Sequence, residues 1–202
     1  MTDNYAVISD IHGNSWALKA VLDDIKNRGI SNIINLGDSF YGPLDPRGTA
    51  DILLGIDALT ISGNQDRQIL EAAGQQDLPP ITQFVLDQFE TRHIDWLKPL
   101  PPTKIIDDEL FLFHGTPDDD STYFLEEVGN ESVSLKKRYV IEKSLKNHPY
   151  LVYLCGHSHV PSVVNISRNR IIVNPGSVGL PAYTDVEPVF HKMESGSPHA
   201  KY

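Results

Sequence analysis

Five short apolar runs in this 202-residue chain each lead into a residue able to ligate a metal, and that recurrence limits the fold more than any other feature. Tyr5-Ala-Val-Ile-Ser9 leads into Asp10 and His12, Asn32-Ile-Ile-Asn-Leu36 into Gly37-Asp38, and Ala58-Leu-Thr-Ile-Ser62 into Gly63-Asn64. Leu110-Phe-Leu-Phe113 runs into His114, and Leu151-Val-Tyr-Leu-Cys155 into Gly156-His157-Ser158-His159. Short β-branched and aromatic runs bounded by Gly and polar residues read as buried strands. Open α/β sheets place ligands beyond the carboxyl ends of their strands, so these candidate ligands are expected on one rim.

The segments between the runs support such a sheet. Ala17, Leu18, Val21, Leu22 and Ile25 recur at helical spacing, and Arg28-Gly29 supplies a stop. A second helix over 46–54 gives a βαβαβ start and hence a parallel sheet. Residues 68–97 read as helical with a break at Pro79-Pro80, 103–106 and 110–113 as a hairpin, and 131–147 as a helix. Strands over 151–155, 163–166 and 171–173 make the second half look more antiparallel. Pro, Gly and Ser dominate from Asn174 onward, so 175–202 read mostly as loop closing one domain over 1–202.

Charge and composition narrow the function classes. A formal charge of -10 lacks the basic stripe of a protein that tracks polymeric nucleic acid. The start at Met1-Thr-Asp-Asn4 resembles no signal peptide, no run approaches membrane-spanning length, and the one Cys suits a reducing compartment. The expectation is a cytoplasmic protein without a membrane or nucleic-acid partner.

Asp10 and His12 sit two residues apart, which places both side chains on one side of an extended segment, and His157 and His159 repeat that spacing. Asp38 can bridge two cations with its two oxygens, and Asn64 offers a neutral amide oxygen. Imidazole and oxygen donors without thiolate suit Mn, Fe, Zn, Ni or Co better than Ca or a structural zinc site. Seven such groups are too many for one ion that keeps an open position, whereas two ions sharing a carboxylate accommodate them.

The order Asp10-x-His12, Gly37-Asp38, Gly63-Asn64-x-Asp66, His114 and Gly156-His157-x-His159 resembles the motif series of calcineurin-like metallophosphoesterases, over residues 5 to about 183. Ser9-Asp-Ile-His-Gly-Asn14 and Asn174-Pro-Gly-Ser177 are similar to the compact bacterial phosphodiesterase branch. That resemblance implies a four-layer α/β/β/α sandwich with two divalent ions, Mn foremost. Asp10, His12 and His159 would hold one ion and Asn64, His114 and His157 the other, with Asp38 between them. It further implies a phosphodiesterase acting on small nucleotide or organic phosphodiesters by attack of activated water, with Asp38, Asn64 and His114 as catalytic residues. A dinucleoside polyphosphate hydrolase, a phosphomonoesterase and a non-catalytic interaction module on the same fold are the competing readings.

The chain departs from that pattern in two places. Gln65 stands where many members carry a His thought to protonate the leaving group, and an amide cannot deliver a proton near neutrality. The resemblance also implies one or two further strands of the second sheet beyond Lys201-Tyr202, and an unpaired edge there would favour a homodimer.

Around the ligands, Asp66 is expected to brace its loop, and Asn14 either to meet phosphate or to cap the following helix. Gln65 can hydrogen-bond phosphate, while Arg67 would contact phosphate or form a surface salt bridge. Ser177 and Tyr183 lie in a loop that could cover the site. Cys155 reads as buried packing, His93 and His148 as surface residues, and His191 and His199 as parts of the tail.

Overall fold

Alternation within the short strands decides the layering. The computed structural model of the protein describes residues 4–129, 132–166 and 169–202. Its first half runs β1 (Tyr5–Ile8), α1 (Ser15–Asn27), β2 (Asn32–Asn35), α2 (Pro46–Leu54), β3 (Ala58–Thr60), α3 (Asn64–Ala72), α4 (Pro80–Gln88) and α5 (Thr91–Leu97). The second half runs β4 (Thr103–Ile106), β5 (Leu110–Phe113), β6 (Glu126–Gly129), β7 (Ser132–Leu135), α6 (Arg138–Ser144), β8 (Val152–Leu154), β9 (Ser162–Ile166), β10 (Arg170–Asn174), β11 (Ala182–Asp185) and β12 (His191–Glu194).

Strands β1, β2 and β3 form a parallel sheet in that order. A second sheet has the order β4-β5-β8-β10-β9, with β5, β8 and β10 parallel and β4 and β9 antiparallel at its edges. Successive side chains of a strand point to opposite faces, so each sheet needs cover on both. Ala6 and Ile8 of β1 pack with Leu18, Val21 and Ile25 of α1 and Leu53 of α2. Tyr5 and Val7 turn the other way and meet Ile34, Ile61, Leu112 and Leu154 between the sheets. Phe111, Phe113 and Tyr153 face outward from the second sheet onto Ile141 of α6 and Leu145 just beyond it. The result is the expected α/β/β/α stack. Each fully buried Ile or Leu contributes about 1.5–3 kcal/mol.

Several sequence expectations need correction. Residues 175–202 are mostly loop, as expected, but they also contain strands β11 and β12, which pair as an antiparallel hairpin that the composition did not suggest. His191 and Met193 of β12 are buried while Lys192 and Glu194 are exposed, a period-2 pattern masked by the surrounding Pro, Gly and Ser. The helix expected over 131–147 is confined to Arg138–Ser144, because Ser132–Leu135 pairs with β6; Glu131 lies outside the described residues. The helical stretch over 68–97 is broken ahead of Pro80, as expected, with Pro80 opening α4 because its missing N–H is one the first turn leaves unpaired anyway. A second break after Gln88 makes three helices of it, the first starting at Asn64. The second sheet is mixed, with its centre parallel. His93 is fully buried, its ring against Phe89 and its Nε2 2.9 Å from Asp51. No helix among the described residues is long and apolar enough to cross a membrane.

Candidate metal centre

The carboxyl ends of β1, β2, β3, β5 and β8 meet where the two sheets adjoin, and the candidate ligands converge there. Asp10, His12 and His159 bring one ligand atom each within 4.8 Å of one another, and Asp38, His114 and His157 do the same. Asn64 lines a cavity of about 330 Å³ together with His12, Asp38, His157 and His159. Five of these residues adopt left-handed backbone: Asp10 (φ 55°), His12 (49°), Asp38 (52°), His157 (68°) and His159 (61°). Such geometry costs of order 1–3 kcal/mol per non-Gly residue and persists where surrounding contacts enforce it.

Backbone carbonyls fix the imidazoles. His12 Nδ1 donates to Tyr41 O (2.9 Å), His114 Nδ1 to Leu36 O (2.8 Å), His159 Nδ1 to Leu180 O (2.6 Å) and His157 Nε2 to Ser121 O (2.9 Å). A carbonyl accepts only from N–H, so in the neutral rings the other nitrogen holds a lone pair aimed into the site. His12 Nε2 and His159 Nε2 are thereby brought to 2.9 Å. Two bare acceptors at that distance repel, and only a proton or a cation relieves the contact.

The carboxylates are held by one oxygen and free at the other. Asp10 Oδ2 accepts from Ser9 Oγ (2.6 Å) and His157 N (3.1 Å), while Oδ1 lies 3.3 Å from His159 Nε2 and 3.8 Å from both His12 and His114 Nε2. Asp38 Oδ1 accepts from Gln65 N (2.8 Å), and its Oδ2 stands 3.4 Å from His114 Nε2. Four buried polar atoms lack a hydrogen-bond partner among the described residues: Asp10 Oδ1, Asn64 Oδ1, Gln65 Oε1 and His114 Nε2. Buried polar atoms are normally satisfied, and three of these four belong to candidate ligands. The donor set therefore fits divalent cations.

Electrostatics agree. Burial pushes His157 down to about 4, with the nearby His114 adding to it, and burial with His159 also lowers His12. Both rings are neutral at pH 7, as ligands must be. Burial resists protonation of His114 as well, but Asp38 outweighs it and raises that ring to about 10, so a metal entering there displaces a proton.

Asp66 braces the loop, as its position suggested. Its carboxylate accepts from Asp38 N (2.8 Å), Ser39 N (3.0 Å) and Gly63 N (3.1 Å), and burial together with the Asp38 charge pushes it up to about 7. Asp66→Ala leaves three buried N–H groups unpaired. At about 1–3 kcal/mol for each unsatisfied group, partly recovered by water, the metal-free protein should lose about 3 kcal/mol in urea unfolding. Gly63 precedes Asn64 so closely against Asp38 that an added Cβ would lie 2.2 Å from Asp38 Oδ1. Gly63→Ala should weaken metal binding about 10–100-fold, as loss of a ligand-orienting contact does, with an unchanged far-UV circular dichroism spectrum; calorimetric metal titration checks this.

Other expected site residues are placed less directly. Asn14 caps α1 by accepting from Ala17 N (3.1 Å) and donates to Gly179 O (3.1 Å), the capping role being one of the two expected for it. Arg67 is likewise committed, to Asp120 (2.8 Å) and Glu71 (2.9 Å). Gln65 lines the cavity. Ser177 Oγ donates to Asp10 O (2.7 Å) and supports the first ligand loop from beneath. Cys155 is fully buried, as expected.

Sequence reasoning missed Tyr123, whose ring stacks on His157 at 4.8 Å. It also undervalued Tyr183, edge-on to His159 at 4.6 Å, and His191, whose Nε2 lies 3.1 Å from Tyr123 Oη. The alternation of β12 was the one available signal for His191; Tyr123 sits in no motif.

A family model described as the calcineurin-like phosphoesterase superfamily domain matches residues 4–195. An uncharacterised protein of Methanocaldococcus jannaschii is 28% identical over 200 residues, spanning 87% of this chain and 76% of its own. Among solved structures, a metallophosphoesterase from Sphaerobacter thermophilus matches with a TM-score of 0.68 at 25% identity, covering 94% of this chain and 87% of that one. A hypothetical protein of Pyrococcus horikoshii shares the fold, with a TM-score of 0.67 at 18% identity over 94% of this chain and 86% of its own.

Proposed function

The chain belongs to the calcineurin-like phosphoesterase superfamily, and from that premise we propose that it is a two-metal phosphodiesterase of small organic or nucleotide esters, with Mn²⁺ as its preferred ion. The observation that carries the metal assignment is the convergence of partnerless Asp10 Oδ1, Asn64 Oδ1 and His114 Nε2 beside imidazoles whose outer nitrogens are tied to backbone carbonyls. Asp10, His12 and His159 would hold one ion, Asn64, His114 and His157 the other, and Asp38 both. Two divalent ions there would lower the pKa of a water toward about 7 and offset phosphoryl charge.

The protein's own groups set the rest. Asp66 and the Gln65 amide N–H hold Asp38 in register, and the carbonyls of Tyr41, Leu36, Leu180 and Ser121 prevent the imidazoles from turning. In hydrolysis the water oxygen forms a bond to phosphorus as the ester P–O bond breaks, and the leaving oxygen departs with the electron pair. Gln65 can donate a hydrogen bond to the phosphoryl group but no proton. Esters whose leaving group needs no acid therefore react best.

With Mn²⁺ added to metal-stripped protein, a bis-aryl phosphate diester should turn over at least about 10²-fold faster than an alkyl monoester, the lower end of what general acid assistance supplies. Equal rates for the two would contradict the proposed preference.

A further inference from the structure

The walls of the cavity carry information about substrate that the ligands do not. Besides the metal-site residues and Gln65, it is lined by Tyr123, Leu180, Tyr183, Thr184 and Asp185, with no lysine or arginine among them. Arg67 is held by Asp120 and Glu71, and Lys136, outside this cavity, donates to the carbonyls of Tyr123 and Phe124. The acidic member is built into the hairpin turn. Asp185 Oδ1 accepts from Val186 N (2.6 Å) and Glu187 N (3.1 Å), while Oδ2 faces Tyr123 Oη at 3.4 Å. No ion pair engages Asp185 among the described residues. Tyr183 Oη lies 2.9 Å from Tyr123 Oη and 3.2 Å from His157 O, a carbonyl that only accepts, so the two rings are held beside the ligand imidazoles. Beyond Tyr123 and Asp185, a second cavity of about 400 Å³ continues the wall with Glu126, Glu127, Glu187 and Lys136, so its carboxylates outnumber its one ammonium.

A site for polyphosphate or a doubly charged monoester needs cationic side chains to balance the charges that two ions leave over. This wall offers the reverse: fixed aromatic rings, a carboxylate in no ion pair and, behind it, a cavity whose carboxylates outnumber its one lysine. That is the chemistry that takes an ammonium group. We propose that the preferred substrate is a phosphodiester bearing an ammonium group on one of its alcohols, with that group seated against Tyr123, Tyr183 and Asp185. The inference rests on the phosphodiesterase reading and names the class of diester.

The test compares two aryl diesters with the same nitrophenol leaving group, one esterified with choline and the other with 3,3-dimethylbutanol, its uncharged isostere. The Mn²⁺-loaded enzyme should show kcat/KM about tenfold higher for the choline diester. Asp185→Asn, which keeps the oxygen that caps the turn, should bring the ratio toward one, and Asp185→Glu should restore much of it. Metal-free protein should show stronger saturation-transfer NMR signals with choline than with 3,3-dimethylbutanol, which reads the same preference without turnover. A wild-type ratio near one, or a tenfold ratio unchanged in Asp185→Asn, would overturn the ammonium assignment and leave the phosphodiesterase reading standing. Hydrolysis of neither diester by protein holding two ions would overturn both.

Discussion

Asp38→Asn should lower metal-dependent diester turnover about 10³-fold or more and weaken the binding of both ions. Asp38 is the candidate ligand placed to serve both groups of imidazoles, and the substitution removes charge while preserving shape. Its Oδ1 already accepts from Gln65 N and its backbone N–H donates to Asp66, so an amide can keep those contacts and the fold should survive. What is lost is a negative charge 3.4 Å from His114 Nε2, in a buried setting where charge counts far more than in water. Removing even a neutral donor from a reacting centre reduces turnover about 10²–10³-fold, and a shared ligand should matter more. Steady-state rates beside metal analysis of the same samples decide the point: full activity with unchanged metal content would remove Asp38 from the account.

Gln65→His should act in the opposite direction and selectively. Gln65 lines the cavity at the start of α3, with its Oε1 buried and without a partner. An imidazole placed there can protonate a departing alkoxide, an effect typically worth about 10²–10⁴. Alkyl monoester turnover should therefore rise by about 10²-fold, with the aryl diester changed less than about threefold because a nitrophenolate leaves without help. The ratio of the two rates is the measurement. A uniform change in both would mean that this position tunes binding, with no bearing on leaving-group chemistry.

The ligand constellation was legible in sequence because each member sits at a strand end, where chain direction and the inter-sheet junction leave little choice of position. Gly37, Gly63 and Gly156 helped, since each marks a close approach: a Cβ on Gly156 would lie 2.2 Å from Ser9 Oγ. The four layers were implied by the family resemblance of the motif series, while the apolar runs themselves indicated only buried strands. Harder to see were features set by tertiary contact. Polar neighbours concealed the burial of His93, which is wedged against Phe89 and paired with Asp51. The β11–β12 hairpin was hidden by its composition, and with it the wall formed by Tyr183 and Asp185. Tyr123 is held at the site by contacts distant in sequence, its Oη within reach of Tyr183, Asp185 and His191 and Ser121, two residues earlier, bonded to His157, relations that no local pattern encodes.

The most direct test of the dinuclear assignment is a Mn²⁺ titration of metal-stripped protein followed by electron paramagnetic resonance. Two ions should bind per chain and give an exchange-coupled signal, and that coupling should vanish in Asp38→Asn. One ion per chain, two uncoupled ions, or coupling that persists without Asp38 would contradict the shared-carboxylate centre from which the proposed chemistry follows.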